Sequence, residues 1–393
     1  MRALVAYGDP TDVRTWSNIP YFFLRAGLRN GLFGTGVILR PSSFRLRRLL
    51  WNASRPFVLD APRGFMYSRS YLEDLWRARE APKEIGEYVS HYQLLPPRDV
   101  VPEPISYYID ATMRQYFGEY EYHIGRRVRA EALAREREAY LAARYVVCMS
   151  NWCAEDVREG YGIGDDKIRV IAPGANMDEA VLAKPQPWDG SFSPLRLGIV
   201  GFHWERKGGP LLLDVAEVLS RRGLPVVLVV IGPPASSIPQ HPVVRALGYV
   251  DKTHDLARFV SLVRSFHFGC LLSSAEALGI APLEFLRLGV PNVVTAVGGI
   301  EDPGEAGIRV AADATADEIA DRIHEVVCDP DRYARMRNAA ARVGAYYSWD
   351  RTVRDFQTLL EPRLHGARPS PERRSLSPRA TESSERERPR RSP

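Results

Sequence analysis

The stretch Leu271-Leu-Ser-Ser-Ala-Glu276-Ala-Leu-Gly279-Ile-Ala-Pro282-Leu-Glu284-Phe-Leu-Arg-Leu-Gly289-Val-Pro-Asn-Val-Val-Thr295 packs four structural signals into one short segment. An apolar run, Phe268–Leu272, ends where a polar loop carrying Glu276 begins. Pro282 stands where a helix would start and Gly289 where it would stop. The next apolar run, Asn292–Thr295, returns to strand. The same alternation extends in both directions. Leu195–Val200 and Val226–Ile231 read as buried strands, and helical patterns cover Pro210–Arg221, 315–327 and 331–344. Continuous apolar strands separated by helices imply a parallel sheet covered on both faces, an α/β doubly wound unit.

The first half is less regular. Arg2–Tyr7, Val37–Leu39, Phe57–Leu59, Ile105–Ile109 and Tyr145–Met149 are expected strands, and Arg126–Ala143 is rich in helix formers. Two doubly wound, Rossmann-like units facing across a cleft would hold ligands at the carboxyl ends of their strands. A Pro-rich junction, from Pro173 to Gly190, marks the boundary. The expected division is a first domain over 1–185 and a second over 186–345. A helix within 346–362 is expected to return to the first domain, and a disordered tail to cover 363–393.

Composition narrows the function. The chain has 393 residues with 45% hydrophobic side chains, 10% aromatic and 26% charged, which are globular values. The net charge of +5 resides in the tail, whose nine Arg and four Glu leave 44 basic and 44 acidic residues elsewhere. The body is therefore neutral, which argues against nucleic acid as a partner. Four cysteines without a Cys-x-x-Cys pair point to reduced thiols and a cytoplasmic location. No apolar run approaches the roughly 18 residues of a membrane span. Of 53 basic residues only five are lysine, so Lys207, set beside Gly208-Gly209, stands out.

Several standard signatures are missing: no Gly-x-Gly-x-x-Gly after a strand, no phosphate-binding Gly-x4-Gly-Lys-Ser/Thr, and no His-Glu-x-x-His. Asp329-Pro-Asp331 fits a helix start better than a metal site. The chemistry-bearing residues lie in two loops. Free backbone N–H groups near Gly279, Ile280 and Ala281, at the start of a helix, form a natural phosphate cradle. Glu276 and Glu284 flank that cradle, and a carboxylate accepts hydrogen bonds from adjacent hydroxyls such as those of a ribose or hexose. Upstream, a strand ends at Gly201 and the following loop brings Arg206 and Lys207, cations able to neutralise a diphosphate. Taken singly, Glu276 reads as a solvated loop residue and Glu284 as a first-turn residue favoured by the helix dipole; the pair spaced around one strand–loop–helix start is much more specific.

Glu276, Glu284, Gly289-Val-Pro-Asn-Val-Val-Thr and Gly298-Gly299 together resemble the signature of family-four retaining glycosyltransferases of the GT-B fold. Trp204-Glu-Arg-Lys-Gly-Gly209 resembles the phosphate-contact loop of a subset of them. The resemblance covers about 195–362, including Ser348-Trp349-Asp350, and is weaker in the first half. It implies a hexosyltransferase with a UDP- or GDP-linked sugar donor on the second domain. The acceptor, a glycan, lipid-linked or small molecule, would approach from the first. It further implies that Glu284 holds ribose hydroxyls, that Glu276 contacts the transferred sugar, and that Gly279 and Ile280 lie near sugar and diphosphate. Lys207 would stabilise the departing diphosphate, and neither metal nor other cofactor is expected. A non-catalytic sugar-nucleotide-binding protein and a sugar-nucleotide epimerase are the alternatives on the same fold.

There are departures. Phe202 stands where many members of that family carry Arg, with Arg206 as the candidate substitute. Ala277-Leu278 replaces a frequent Gly-Phe. Asp110 and His91 are the first-domain candidates for the catalytic side, each equally able to play a structural part. Ser43-Phe-Arg-Leu-Arg-Arg-Leu-Leu-Trp51 is basic and apolar, suited either to a core-facing helix or to peripheral membrane contact.

Overall fold

The computed structural model describes residues 1–58, 64–120, 124–178 and 188–361. The first sheet contains β1 (Arg2–Val5), β2 (Thr35–Val37), β3 (Glu87–Ser90), β4 (Ile105–Ile109), β5 (Tyr145–Cys148) and β6 (Ile168–Val170), in the order β2-β1-β3-β4-β5-β6. All its pairings are parallel. The second contains β7 (Leu195–Val200), β8 (Val226–Ile231), β9 (Val244–Ala246), β10 (Phe268–Leu271), β11 (Asn292–Thr295) and β12 (Gly307–Val310). Its order is β12-β11-β10-β7-β8-β9, again all parallel. The doubly wound architecture read from the sequence is therefore the one adopted.

Strand order reverses between β1 and β3 in the first sheet and between β7 and β10 in the second. At such a point the loops leaving adjacent strands diverge to opposite faces and open a crevice. The loops leaving β7 and β10 are the two that carry Arg206–Lys207 and Glu276–Gly279.

Buried aliphatic and aromatic side chains fill both faces of each sheet. The last helix, Trp349–Leu360, packs on the first domain's helix Ile19–Arg29. Phe23 sits 5.5 Å from Trp349 and 5.1 Å from Phe356, ring centre to ring centre. Thr352 Oγ1 donates to the Ala172 carbonyl at 3.0 Å. Asn176 ties three segments: its Nδ2 donates to the Ser17 carbonyl at 2.8 Å, and its Oδ1 accepts from Trp349 Nε1 at 3.2 Å.

Some expectations need correction. Phe57 and Val58 end the helix Arg45–Val58 and are not a strand; Leu59 lies outside the described residues. A short apolar run has no period of its own, and here it continues the helix that starts at Arg45. The expected strand Val37–Leu39 is shifted, with β2 ending at Val37. The helix expected from Pro282 starts at Ile280. Asp329 caps the helix Pro330–Gly344, its Oδ1 accepting from Arg332 N at 2.9 Å. The Arg/Ser/Pro-rich tail, expected to be disordered, lies outside the described residues, as does part of the Pro-rich junction.

Candidate active site

Between the carboxyl ends of the two sheets lies a cleft of about 350 Å³. Two glycines shape it. Gly208 adopts φ +77°, and a Cβ there would come within 2.0 Å of the Leu272 carbonyl oxygen, so only glycine lets the Lys207 loop press against the end of β10. Gly279, also at φ +77°, is the N-cap of the helix Ile280–Arg287. In a helix the first four backbone N–H groups have no intrahelical partner. Here those positions are Gly279, Ile280, Ala281 and Pro282, and proline has no N–H to lose. Three donors and the positive end of the helix dipole consequently face the cleft wall that these residues line.

Around that end the charged groups form two pairs. Lys207 Nζ lies 2.5 Å from Glu276 Oε2, which also receives Arg206 Nη1 at 3.2 Å and the Ser273 hydroxyl at 3.3 Å. The Glu276 backbone is held too, its carbonyl accepting from Gly299 N at 3.1 Å. Arg206 donates to the Ala275 carbonyl at 2.7 Å and lies over the Tyr120 ring.

The second pair is Glu284 with Lys252, whose Nζ donates to Glu284 Oε1. Glu284 is only 1% exposed, and its Oε2 has no hydrogen-bond partner among the described residues. Burial pushes its carboxyl above the ordinary glutamate value, opposed by Lys252 and then Lys207. A buried carboxylate with one oxygen held and the other open is set to accept a hydrogen bond from a ligand hydroxyl.

Asp110 follows β4 and lines the first-domain side of the cleft. Its rim touches solvent, yet the protein packed round it displaces enough water to raise its carboxyl, with nearby His91 opposing. His91 is buried behind it. Its Nδ1 must donate to the Tyr108 carbonyl at 2.8 Å, which leaves Nε2 as the unprotonated nitrogen, and burial lowers its pKa. His91 is not among the residues lining the cleft.

Residues 194–329 match the family model for glycosyl transferases group 1. The match falls within the second domain. The chain is also 26% identical over 228 residues to a D-inositol 3-phosphate glycosyltransferase from Corynebacterium urealyticum, covering 52% of this chain and 53% of that protein. It spans about half the length of the curated relatives it matches. Among solved structures it resembles a sucrose-phosphate synthase from Thermosynechococcus elongatus with a TM-score of 0.64 and 16% identity, over 91% of this chain and 97% of that one. It also resembles HepE from Anabaena in complex with UDP and glucose, with a TM-score of 0.59 and 14% identity, over 92% and 100% of the two chains. Both likenesses establish the GT-B fold.

The structure brings Gly201, Arg206, Lys207, Glu276, Gly279, Ile280, Ala281 and Glu284 to one cleft, with Asp110 facing them from the first domain. Arg206 turns toward Glu276 and Tyr120. Phe202, in the place of the frequent Arg, is 64% exposed and stacks on Tyr249 at 5.4 Å. Sequence reading missed Lys252, which follows no glycine-flanked motif. Its only signal was its rarity as one of five lysines. Also missed was the aromatic wall of Trp16, Tyr92, Tyr116 and Tyr120. Among the described residues no group of three His, Cys, Asp or Glu is arranged to hold a metal ion, and no helix is long and apolar enough to cross a membrane.

Proposed function

We propose that this protein is a retaining glycosyltransferase that moves a hexose from a UDP- or GDP-linked donor to an acceptor held by the first domain. The observation that carries the reading is Glu284. Its buried Oε2 has no hydrogen-bond partner among the described residues, and Glu284 lines the same cleft as Gly279–Ala281 and Lys207. Ribose hydroxyls on Glu284 would set the diphosphate against that helix end.

In the proposed reaction the bond from the anomeric carbon to the diphosphate oxygen breaks as the acceptor oxygen attacks from the same face. The departing phosphate oxygen takes the acceptor's proton. Lys207, with the helix N-terminus, meets the charge growing on the diphosphate, so the reading assigns no metal or other cofactor. Glu276, positioned by Lys207 and Arg206, would orient the sugar hydroxyls, and Asp110 would face the acceptor side of the transferred ring. Lys252 is a positioning residue acting through Glu284. The chemistry is one of placement and charge stabilisation, with no protein nucleophile.

The reading includes a cytoplasmic location with peripheral contact at an anionic membrane surface. Leu46, Leu49 and Leu50 are 71%, 62% and 64% exposed on the helix Arg45–Val58, which has no acidic residue and carries Arg45, Arg47 and Arg48 beside them.

The test is a melting screen with UDP, GDP and their hexose conjugates. A ligand at about 100 times its Kd adds about 2.7 kcal/mol. Absence of a shift with every nucleotide defeats the donor reading. A shift without glycoside formation or donor hydrolysis points to a binding protein, and conversion of the donor sugar without an acceptor to an epimerase.

A further inference from the structure

Beside the donor cleft, sharing Ser17, Asp110, Arg206, Glu276 and Ala277 with it, lies a second chamber of about 270 Å³. This is slightly below the roughly 300 Å³ at which drug-sized pockets begin, room for one six-membered ring and little more. Its first-domain wall is aromatic. Trp16 meets the Tyr92 ring edge-on at 6.1 Å and the Tyr116 ring at 6.3 Å, while Tyr120 closes the side toward Arg206.

Two features mark this wall as built for a ligand. Trp16, Ser17 and Asn18 adopt φ of 43°, 58° and 69°, a left-handed run without glycine that persists only where the surroundings enforce it. Asn176 supplies part of that enforcement through the Ser17 carbonyl. In addition, Tyr92 is 1% exposed, lines the chamber, and its hydroxyl has no hydrogen-bond partner among the described residues.

The charges decide which ligand fits. Among the described lining residues, Asp110 and Glu276 are carboxylates and Arg206 is the cation, already engaged by Glu276 and the Ala275 carbonyl. A phosphate or carboxylate placed here would lie against Asp110 and find no uncommitted cation, since Arg206 and Lys207 are both taken up by Glu276, a bias against anions. Hydroxyl groups, in contrast, donate well to carboxylates, and the C–H faces of a saturated ring pack on aromatic faces.

We propose that this chamber binds the acceptor, that the acceptor's reacting unit is an uncharged polyhydroxylated ring, a sugar or cyclitol, and that phosphorylated rings are rejected. The proposal rests on the donor reading above. It also separates this chain from the D-inositol 3-phosphate glycosyltransferases it resembles, whose named acceptor carries a phosphate.

The test is saturation-transfer NMR on the full chain with UDP or GDP present, whichever shifts its melting. The probes are methyl α-glucopyranoside and myo-inositol, each against its monophosphate. The neutral rings should receive saturation and bind at least tenfold more tightly than their phosphates. Tyr92→Phe, which removes one hydroxyl and keeps the ring, should weaken neutral-ring binding about fivefold. Trp16→Ala should weaken it at least tenfold, and both variants should keep the nucleotide melting shift. Equal or tighter binding of the phosphates overturns the proposal. So does neutral-ring binding that neither variant alters, or no ring binding at all while the nucleotide shift is present. Loss of the nucleotide shift in the unaltered chain defeats the donor reading instead, which keeps the two failures apart.

Discussion

Lys252→Met isolates the contact that holds Glu284 in place. The lysine Nζ is the partner of Oε1, Oε2 has none among the described residues, and the glutamate is 1% exposed. Methionine keeps most of the side-chain volume against Phe259, over whose ring the ammonium sits at 4.4 Å. The substitution therefore removes a charge more than it opens a cavity. Breaking a buried ion pair from one side costs about 3–5 kcal/mol. At roughly 2–4 °C per kcal/mol for a domain of this size, Tm should fall by roughly 6–20 °C. The loss should depend on pH with a defined sign. Burial raises the Glu284 carboxyl above its ordinary value and Lys252 opposes that rise, so removing the lysine moves it further up. An acid with a raised native pKa binds more protons folded than unfolded, and stability is lost as pH climbs from the ordinary glutamate value through the native one. Calorimetry at about pH 5 and about pH 8 should show a small deficit at the lower pH and the full deficit at the higher. Glu284→Gln in the same chain should restore much of the loss, because a neutral amide needs no ammonium, giving a coupling energy of about 2 kcal/mol or more in a double-mutant cycle. A deficit that is equal at both pH values, or larger in acid, would refute the assignment of the pair.

Lys207→Ala should lower kcat by roughly 10²–10³ with little change in donor KM, because its charge matters most as the diphosphate departs; steady-state kinetics with the best donor checks this. Gly208→Ala should cost more than about 2 kcal/mol, since it combines a positive φ with a carbonyl 2.0 Å from the new Cβ, and thermal unfolding reads it directly. The combined Leu46→Ser, Leu49→Ser and Leu50→Ser variant should leave Tm within about 2 °C, because these side chains are exposed, while binding to vesicles rich in phosphatidylglycerol falls at least fivefold in flotation. Wild-type binding should weaken with added salt and be low on phosphatidylcholine alone.

The second domain was largely legible in the sequence. Its strands are continuous apolar runs such as Val226–Ile231, buried in the middle of a sheet, and Gly279, Pro282 and Gly289 punctuate its key helix. A pattern that is local and periodic survives without knowledge of the fold. That is why Glu276, Arg206 and Lys207 could be placed on loops, and Glu284 on the helix that follows, from flanking strands and helices that were already clear. The first domain was harder. β3 spans only Glu87–Ser90, with polar residues at both ends, and the exposed leucines of Arg45–Val58 mimic a core face.

What only the tertiary structure decided are relations between residues far apart in the chain. Lys252 meets Glu284 because β9 and β10 belong to one sheet whose loops emerge at the same edge, and nothing about position 252 alone announces that. Trp16, Tyr92 and the pair Tyr116 and Tyr120 come from three segments that share a wall only after the first sheet is assembled. Which oxygen of Glu284 is held and which lacks a partner among the described residues is likewise a matter of burial and orientation. The sequence specifies the types of side chain through local pattern. Their pairing and their access to water follow from how the two sheets are set against each other, since desolvation and charge coupling act through space and not along the chain.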